Sequence, residues 1–157
     1  MAQLKDSGER RQFESGAVRD IQKGKGRCDL LPLDIVGRLL IDESDNIHKI
    51  FEALSAFIDD SDLNHIYSAI EYFCFYHHWS LYQCILEVSK QYEDGANKYG
   101  EHNWEKGIPI HCYLDSGIRH LLKFLAGYTD EPHDRAFIWN MLGLIWTYIH
   151  KPDLIDI

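Results

Sequence analysis

Residues 93–140 read EDGANKYGEHNWEKGIPIHCYLDSGIRHLLKFLAGYTDEPHDRAFIWN, and their punctuation decides the fold. Tyr99-Gly100 ends one helical pattern, and Gly107-Ile108-Pro109 interrupts the chain again before the next. Glycine tolerates the left-handed conformation past a helix end, and proline cannot continue the ladder. From Tyr113 to Gly127 the period is helical again. Leu114, Ile118, Leu121 and Leu125 form an apolar stripe, and Asp115, Arg119 and Lys123 share a face beside Ser116 and His120. A further helix begins near Asp130-Glu131-Pro132, where acids suit the N-terminal dipole and proline loses an N–H that has no helical partner. No other stretch of the chain has this density of carboxylates, histidines and amides.

The last helix, from about Asp130 to His150, is apolar almost all round, through Phe137, Ile138, Trp139, Met141, Leu142, Leu144, Ile145, Trp146 and Ile149. That is the signature of a central core helix. Asn140 lies inside it and must find hydrogen bonds, either as a core amide tying helices together or as a substrate contact. Towards the N-terminus, Ser80 caps a helix whose stripe is Leu81, Ile85, Val88, Tyr92 and Tyr99. Glu87, Gln91, Asp94 and Lys98 make its solvated face. Glu93 neighbours Leu86, Ser89 and Ala96, so it borders the apolar side. A carboxylate there needs a partner, Arg119 or a metal ion.

Two more amphipathic helices precede that one. The first carries Ile47, Ile50, Phe51, Leu54, Phe57 and Ile58. The second carries Leu63, Ile66, Ile70, Phe73 and Cys74, is capped by Ser61 or Asp62, and ends at His77-His78. Asp29-Leu30-Leu31-Pro32 opens a short helix through Leu40. Residues 1–28 are polar and glycine-rich and read as an extended arm. In it Lys23, Lys25 and Arg27 alternate with glycines, so cations and backbone amides can reach one anion together, unless the segment is a solvated tail. No segment has the period-2 alternation of a half-buried strand. The reading is all-α: a single-domain helical bundle over 29–157 behind an N-terminal arm.

Composition narrows the function. The 157 residues suffice for one domain with a real core. A 45% hydrophobic content excludes general disorder. A net charge of −9 argues against sequence-independent nucleic-acid binding, which depends on neutralising phosphates with Lys and Arg. Cys28, Cys74, Cys84 and Cys112 are scattered without a C-x-x-C pair, so neither a zinc site nor a disulfide framework is implied. With no signal peptide or long apolar run, a soluble cytoplasmic protein is expected, without a membrane partner.

Several strings resemble the phage dATP/dGTP diphosphohydrolase N-terminal family, which is tied to MazG-like nucleotide pyrophosphohydrolases. They are Gly16-Ala17-Val18-Arg19-Asp20, Gly24-Lys25-Gly26-Arg27 with Asp29-Leu30-Leu31-Pro32, Lys98-Tyr99-Gly100, Asn103-Trp104-Glu105-Lys106-Gly107-Ile108-Pro109, Asp115-Ser116 with Arg119-His120, and Asp130-Glu131 through Trp139-Asn140. Residues 42–79 carry none of them and look like an insertion. The resemblance implies hydrolysis of purine deoxynucleoside triphosphates to the monophosphate and pyrophosphate, with Mg²⁺ as cofactor and Mn²⁺ as its substitute. It also implies a small-molecule nucleotide partner and a homo-oligomer.

MazG-like enzymes hold magnesium with E-x-x-E and E-x-x-D helices. Glu131-Pro132-His133-Asp134 has the second spacing, while the first is absent. The resemblance therefore implies a metal set of Glu93, Asp115, Glu131 and Asp134, with Glu131, Asp115 and His120 catalytic. Arg19, Lys23, Lys25, Arg27, Lys98, Asn103, Trp104, Lys106, Arg119, His133 and Asn140 would contact substrate. The plain alternatives are an Asp115–Arg119 surface pair and an acidic helix start at Asp130-Glu131. Two further readings stand beside it: an HD-type phosphohydrolase using His120, His133 and Asp134, and a non-catalytic nucleotide-binding or regulatory module.

Overall fold

The structure, a computed structural model, describes residues 8–157. It is helical, with one small two-stranded sheet: β1 (Arg10–Gln12), β2 (Val18–Asp20), α1 (Leu33–Leu39), α2 (Asp45–Asp60), α3 (Leu63–His77), α4 (Leu81–Tyr99), α5 (Ile110–Leu125) and α6 (His133–His150). No helix among the described residues is long and apolar enough to cross a membrane. By its contacts the chain forms two compact units, one of Met1–Asp29 with Glu87–Asp156 and one centred on Leu30–Leu86.

In the second unit α2 and α3 form an antiparallel hairpin with α1 against α2. Their stripes are buried as the periodicity predicts: Ile47, Ile50, Phe51, Leu54 and Phe57 on α2, and Ile66, Ile70 and Phe73 on α3. Ser44 caps α2 by accepting from the Ile47 amide, and Asp62 caps α3 by accepting from the Asn64 amide. Ser61, the alternative cap, instead ends α2 with φ of 59°. His77 stacks on Trp79 with ring centroids 4.0 Å apart.

The first unit is built on α5 and α6. Phe137, Ile138, Met141 and Leu144 of α6 and Tyr113, Leu114, Ile118 and Leu121 of α5 are all buried. α5 begins at Ile110, three residues earlier than the periodicity suggests, because Pro109 supplies an N-terminal boundary. α6 begins at His133, so Asp130 and Glu131 stand in the loop before it, not in its first turn. The helices approach through glycines. A Cβ on Gly117 would come within 2.7 Å of Met141 Cε, and one on Gly143 would enter the Tyr113 ring.

The N-terminal segment differs from the expected arm. Among its described residues it folds back as an antiparallel hairpin pairing Arg10 with Asp20, Arg11 with Arg19 and Gln12 with Val18. Three-residue strands are too short to display an alternation, and their pairing is set by contacts made elsewhere in this unit. Residues 1–7 of the arm lie outside the described residues.

The solvated face assigned to α4 is also corrected. Gln91 is buried and accepts from Arg135 Nε at 3.4 Å, Asp94 pairs with Arg135 at 3.0 Å, and Lys98 pairs with Asp20 at 2.8 Å. Leu81 and Ile85, placed on the apolar stripe, are exposed. Polar residues face inward on α4 because α6 and the hairpin offer them charged partners.

Gly143→Ala is expected to destabilise the protein by about 1–3 kcal/mol, since overpacking against a fully buried ring outweighs alanine's helix preference of about 1 kcal/mol. Chemical denaturation read by circular dichroism measures this as a lowered midpoint, and an unchanged midpoint would show that Tyr113 has room to move.

Candidate active site

The hairpin carries two arginines directly opposite each other, Arg11 and Arg19. Arg19 reaches inward. Its Nη2 donates to Asn140 Oδ1 at 3.0 Å and its Nη1 to the Cys112 carbonyl at 3.3 Å, and the guanidinium lies over the rings of Tyr113 and Trp139 at 5.4 and 5.6 Å. Burial lowers its pKa, and the neighbouring Arg11 charge adds to that. Asn140 completes the arrangement by donating to the Ala136 carbonyl at 2.8 Å, so it both ties α6 internally and orients the arginine. The hairpin is fastened by Asn103. Its side-chain oxygen accepts from the Val18 amide and its NH₂ donates to the Val18 carbonyl, both at 2.8 Å. A buried amide thus substitutes for a third strand.

A second clamp holds residues 25–28 against α5. Asp115 is only 1% exposed. It accepts from the Cys28 amide at 2.7 Å and pairs with Arg119 one turn along. Arg119 in turn donates to the carbonyls of Lys25 and Gly26 at 3.2 and 2.8 Å. The i,i+4 pair weighed as a surface feature is formed with its carboxylate buried and its arginine half-buried, and both partners direct their remaining hydrogen bonds to the glycine-rich segment.

These contacts enclose a cavity of about 420 Å³. Among the described residues six cations line it, Arg11, Arg19, Lys25, Lys98, Arg119 and Lys123, against the three carboxylates of Asp20, Asp130 and Glu131. Lys98 is paired with Asp20, and Arg119 with Asp115. Among the described residues Arg11, Arg19, Lys25 and Lys123 make no salt bridge. The Nε of Arg11 is buried without a hydrogen-bond partner. Trp139 and Tyr99 add aromatic surface, and Gln91, Asn103 and Asn140 add amides. A basic, partly aromatic cavity in a chain of net charge −9 is a local reversal of sign.

At one end of the cavity a polar chain runs from loop to helix. His133, which is buried, stands 2.8 Å from Asp130 Oδ1 through Nε2 and 2.9 Å from His120 Nδ1 through its own Nδ1. Asp130 accepts the Nε2 proton, which leaves Nδ1 of His133 an acceptor for the Nδ1 proton of His120. Burial first, and His133 second, push the His120 pKa down to about 3, so its ring is neutral at pH 7. Glu131 Oε2 lies 3.9 Å from His133 Nδ1.

The four carboxylates expected to gather around one metal do not. Glu131 lines the cavity, but Asp115 is engaged by Cys28 and Arg119, Glu93 is exposed on α4, and Asp134 Oδ1 accepts from the Arg135 amide at 2.8 Å. The helical phase of α4 turns Glu93 outward, because Val88, Gln91 and Tyr92 take the inward side. A magnesium site made from that set does not fit these residues. The HD-type set is likewise incomplete, as His120 and His133 meet while Asp134 is not among the groups gathered with them.

Of the expected substrate contacts, Arg19, Lys25, Lys98, Asn103, Arg119 and Asn140 line the cavity. Lys23 is exposed away from it, and Arg27 is turned to Asp29 by a bidentate pair at 2.8 and 2.6 Å. Trp104 packs edge-on to Trp146 and lines a smaller neighbouring cavity, Lys106 is exposed, and His133 stands behind His120. The sequence reading missed Arg11, Asp20, Lys123, Gln91, Tyr99 and Trp139. Lys123 was on the right helix face. Arg11 gave no signal, since only strand pairing brings it opposite Arg19.

A family model described as dATP/dGTP diphosphohydrolase, N-terminal, matches residues 76–156. The chain belongs to this family. No curated protein and no solved structure matches it. The family match spans Lys98, Asn103, α5 and α6, hence the aromatic, amide and histidine walls of the cavity. The hairpin that contributes Arg11 and Arg19 lies outside the matched residues.

Asn103→Ala is expected to cost about 1–3 kcal/mol for each Val18 backbone group left without its partner. Hydrogen exchange at the Val18 amide should rise strongly while exchange in the α6 core changes little. Equal protection at Val18 in the variant would mean that the hairpin is held by its own ladder.

Proposed function

We propose that the protein hydrolyses purine deoxynucleoside triphosphates, releasing a deoxynucleoside monophosphate and pyrophosphate. One observation carries this reading: Arg11 and Arg19, directly cross-strand, both line a cavity in which four cations lack salt-bridge partners among the described residues. Like charges opposite each other repel. A polyanion between them removes that repulsion, and a triphosphate has the charge to meet several cations at once. The family description, dATP/dGTP diphosphohydrolase, supports the same substrate class.

The cavity volume suits a nucleotide, within the roughly 300–1,000 Å³ usual for small-molecule sites. Trp139 and Tyr99 offer faces for a purine ring, and the amides of Gln91, Asn103 and Asn140 offer donors and acceptors for its edge. Lys25, Arg119 and Lys123 line the same cavity as Asp130 and Glu131 and would neutralise phosphate oxygens as charge shifts onto the leaving pyrophosphate. In hydrolysis, water oxygen bonds to the α-phosphorus, the bond from that phosphorus to the bridging oxygen breaks, and pyrophosphate leaves with the electron pair. The water's proton needs an acceptor beside the phosphate, and Glu131 is the cavity carboxylate with neutral His120 next to it.

Incubation with each of the four deoxynucleoside triphosphates and a divalent cation, followed by product identification, tests the reading. Pyrophosphate should appear with dATP and dGTP. Arg19→Ala should lower kcat/KM by roughly 10- to 150-fold, the equivalent of one charged hydrogen bond of about 1.5–3 kcal/mol. Nucleotide binding without any product would make the protein a helical nucleotide-binding module instead.

A further inference from the structure

We propose that His120, His133 and Glu131 form a site for one divalent transition-metal ion at the end of the cavity, with Asp130 as the outer partner that orients His133. One ligand atom from each of the three residues lies within 4.8 Å of the others. The two Nδ1 atoms are 2.9 Å apart. Two nitrogens each at about 2.05 Å from one ion in a tetrahedral arrangement would stand about 3.3 Å apart, so the two rings need part by only a few tenths of an ångström to admit it.

Asp130 supplies the independent observation. A metal-bound imidazole characteristically donates its other N–H to a carboxylate, which fixes the tautomer and aims the coordinating nitrogen. His133 has that arrangement, with Nε2 at 2.8 Å from Asp130 Oδ1. Its Nδ1 is consequently a bare lone pair, directed at His120 rather than at bulk water. For the ion to enter, His120 moves its single proton from Nδ1 to Nε2, and the shared hydrogen bond gives way to two coordinate bonds without a net change in protonation.

The location is asymmetric in a way that suits a reactive centre. His133 is buried and closes the site from behind, whereas His120 and Glu131 line the cavity. Three protein ligands with one open side are the pattern of catalytic centres rather than structural ones. The carboxylates of Asp130 and Glu131 balance the charge of a divalent ion in an otherwise basic cavity. Two imidazoles also set the metal class: such ligands suit zinc, copper, iron or nickel, whereas magnesium demands hard oxygens in an octahedron. The ion would therefore differ from the magnesium that the resemblance implies. The proposal concerns the cavity of the hydrolytic reading, but metal binding can be measured without nucleotide, so each can fail alone.

The test uses the full chain stripped of metal and titrated with Co²⁺, read by its visible ligand-field absorption, and with Zn²⁺, read by calorimetry. One ion per chain should bind, and excess Mg²⁺ should not displace it. His120→Ala and Glu131→Gln should each weaken binding at least tenfold, and Asp130→Asn by roughly 10- to 100-fold through loss of the outer contact. His133→Ala should abolish binding. If circular dichroism shows that this variant does not fold, the other three decide. No saturable Co²⁺ or Zn²⁺ binding, or equal binding by wild type and His120→Ala, would overturn the proposal and leave the histidine pair as a hydrogen-bonded link.

Discussion

The buried carboxylate of Asp115 is the constraint on which the cavity depends. A charge in that position must be met by donors, and the helix alone offers only Arg119. The remaining demand draws the Cys28 amide onto α5, and Arg119, held by Asp115, catches the carbonyls of Lys25 and Gly26. A glycine-rich segment without any core residues is thereby given a fixed course. Lys25 reaches the cavity because its backbone is gripped on both sides, while Lys23 and Arg27, on the same segment, turn away from it. Breaking such a pair on one side alone leaves a buried charge uncompensated, a cost of about 3–5 kcal/mol. The glycine-rich course and the α5 face consequently stand or fall together.

The same competition for partners explains the charge pattern. On most of the surface, acids outnumber bases. Inside the cavity, the acids that could quench the cations are used elsewhere or held at one end. Asp20 is shared by Arg10 and Lys98, and Asp94 is taken by Arg135. Arg19 is held by a carbonyl, an amide oxygen and two ring faces, none of which cancels its charge. A guanidinium positioned by neutral groups keeps its full attraction for an incoming anion. Pairing it with a carboxylate would have given stability in place of binding.

Much of the helical framework was legible because its signals are local. Gly100, Gly107 and Gly127 marked breaks, and stripes at i, i+3 and i+4 marked buried faces on α2, α3, α5 and α6. Asn140 was legible as an amide that had to be satisfied. Glu93 was misread, since its neighbours suggested a border position that the phase of a 19-residue helix does not give it. The hairpin was invisible for a different reason. Its anchor, Asn103, lies 85 residues from Val18, and no periodicity encodes a contact at that separation. The histidine pair combined both cases: each residue was singled out, but their meeting across the α5–α6 loop set a different partner, Asp130, beside them.

The compact unit that holds the cavity is discontinuous in sequence, made from the segment up to Asp29 and from Glu87 onward. Synthesis delivers the hairpin first and its anchors last. Val18 must wait for Asn103, Cys28 for Asp115 and Arg19 for Asn140, which lies 121 residues downstream. Contacts of such separation slow folding, because chain closure must precede the energy that rewards it. The helices from Leu30 to Leu86 rely on near neighbours and can form while the rest is still emerging. Assembly of the cavity is thus a late event in the life of each new chain, and Arg19 remains without its amide partner until α6 has been made.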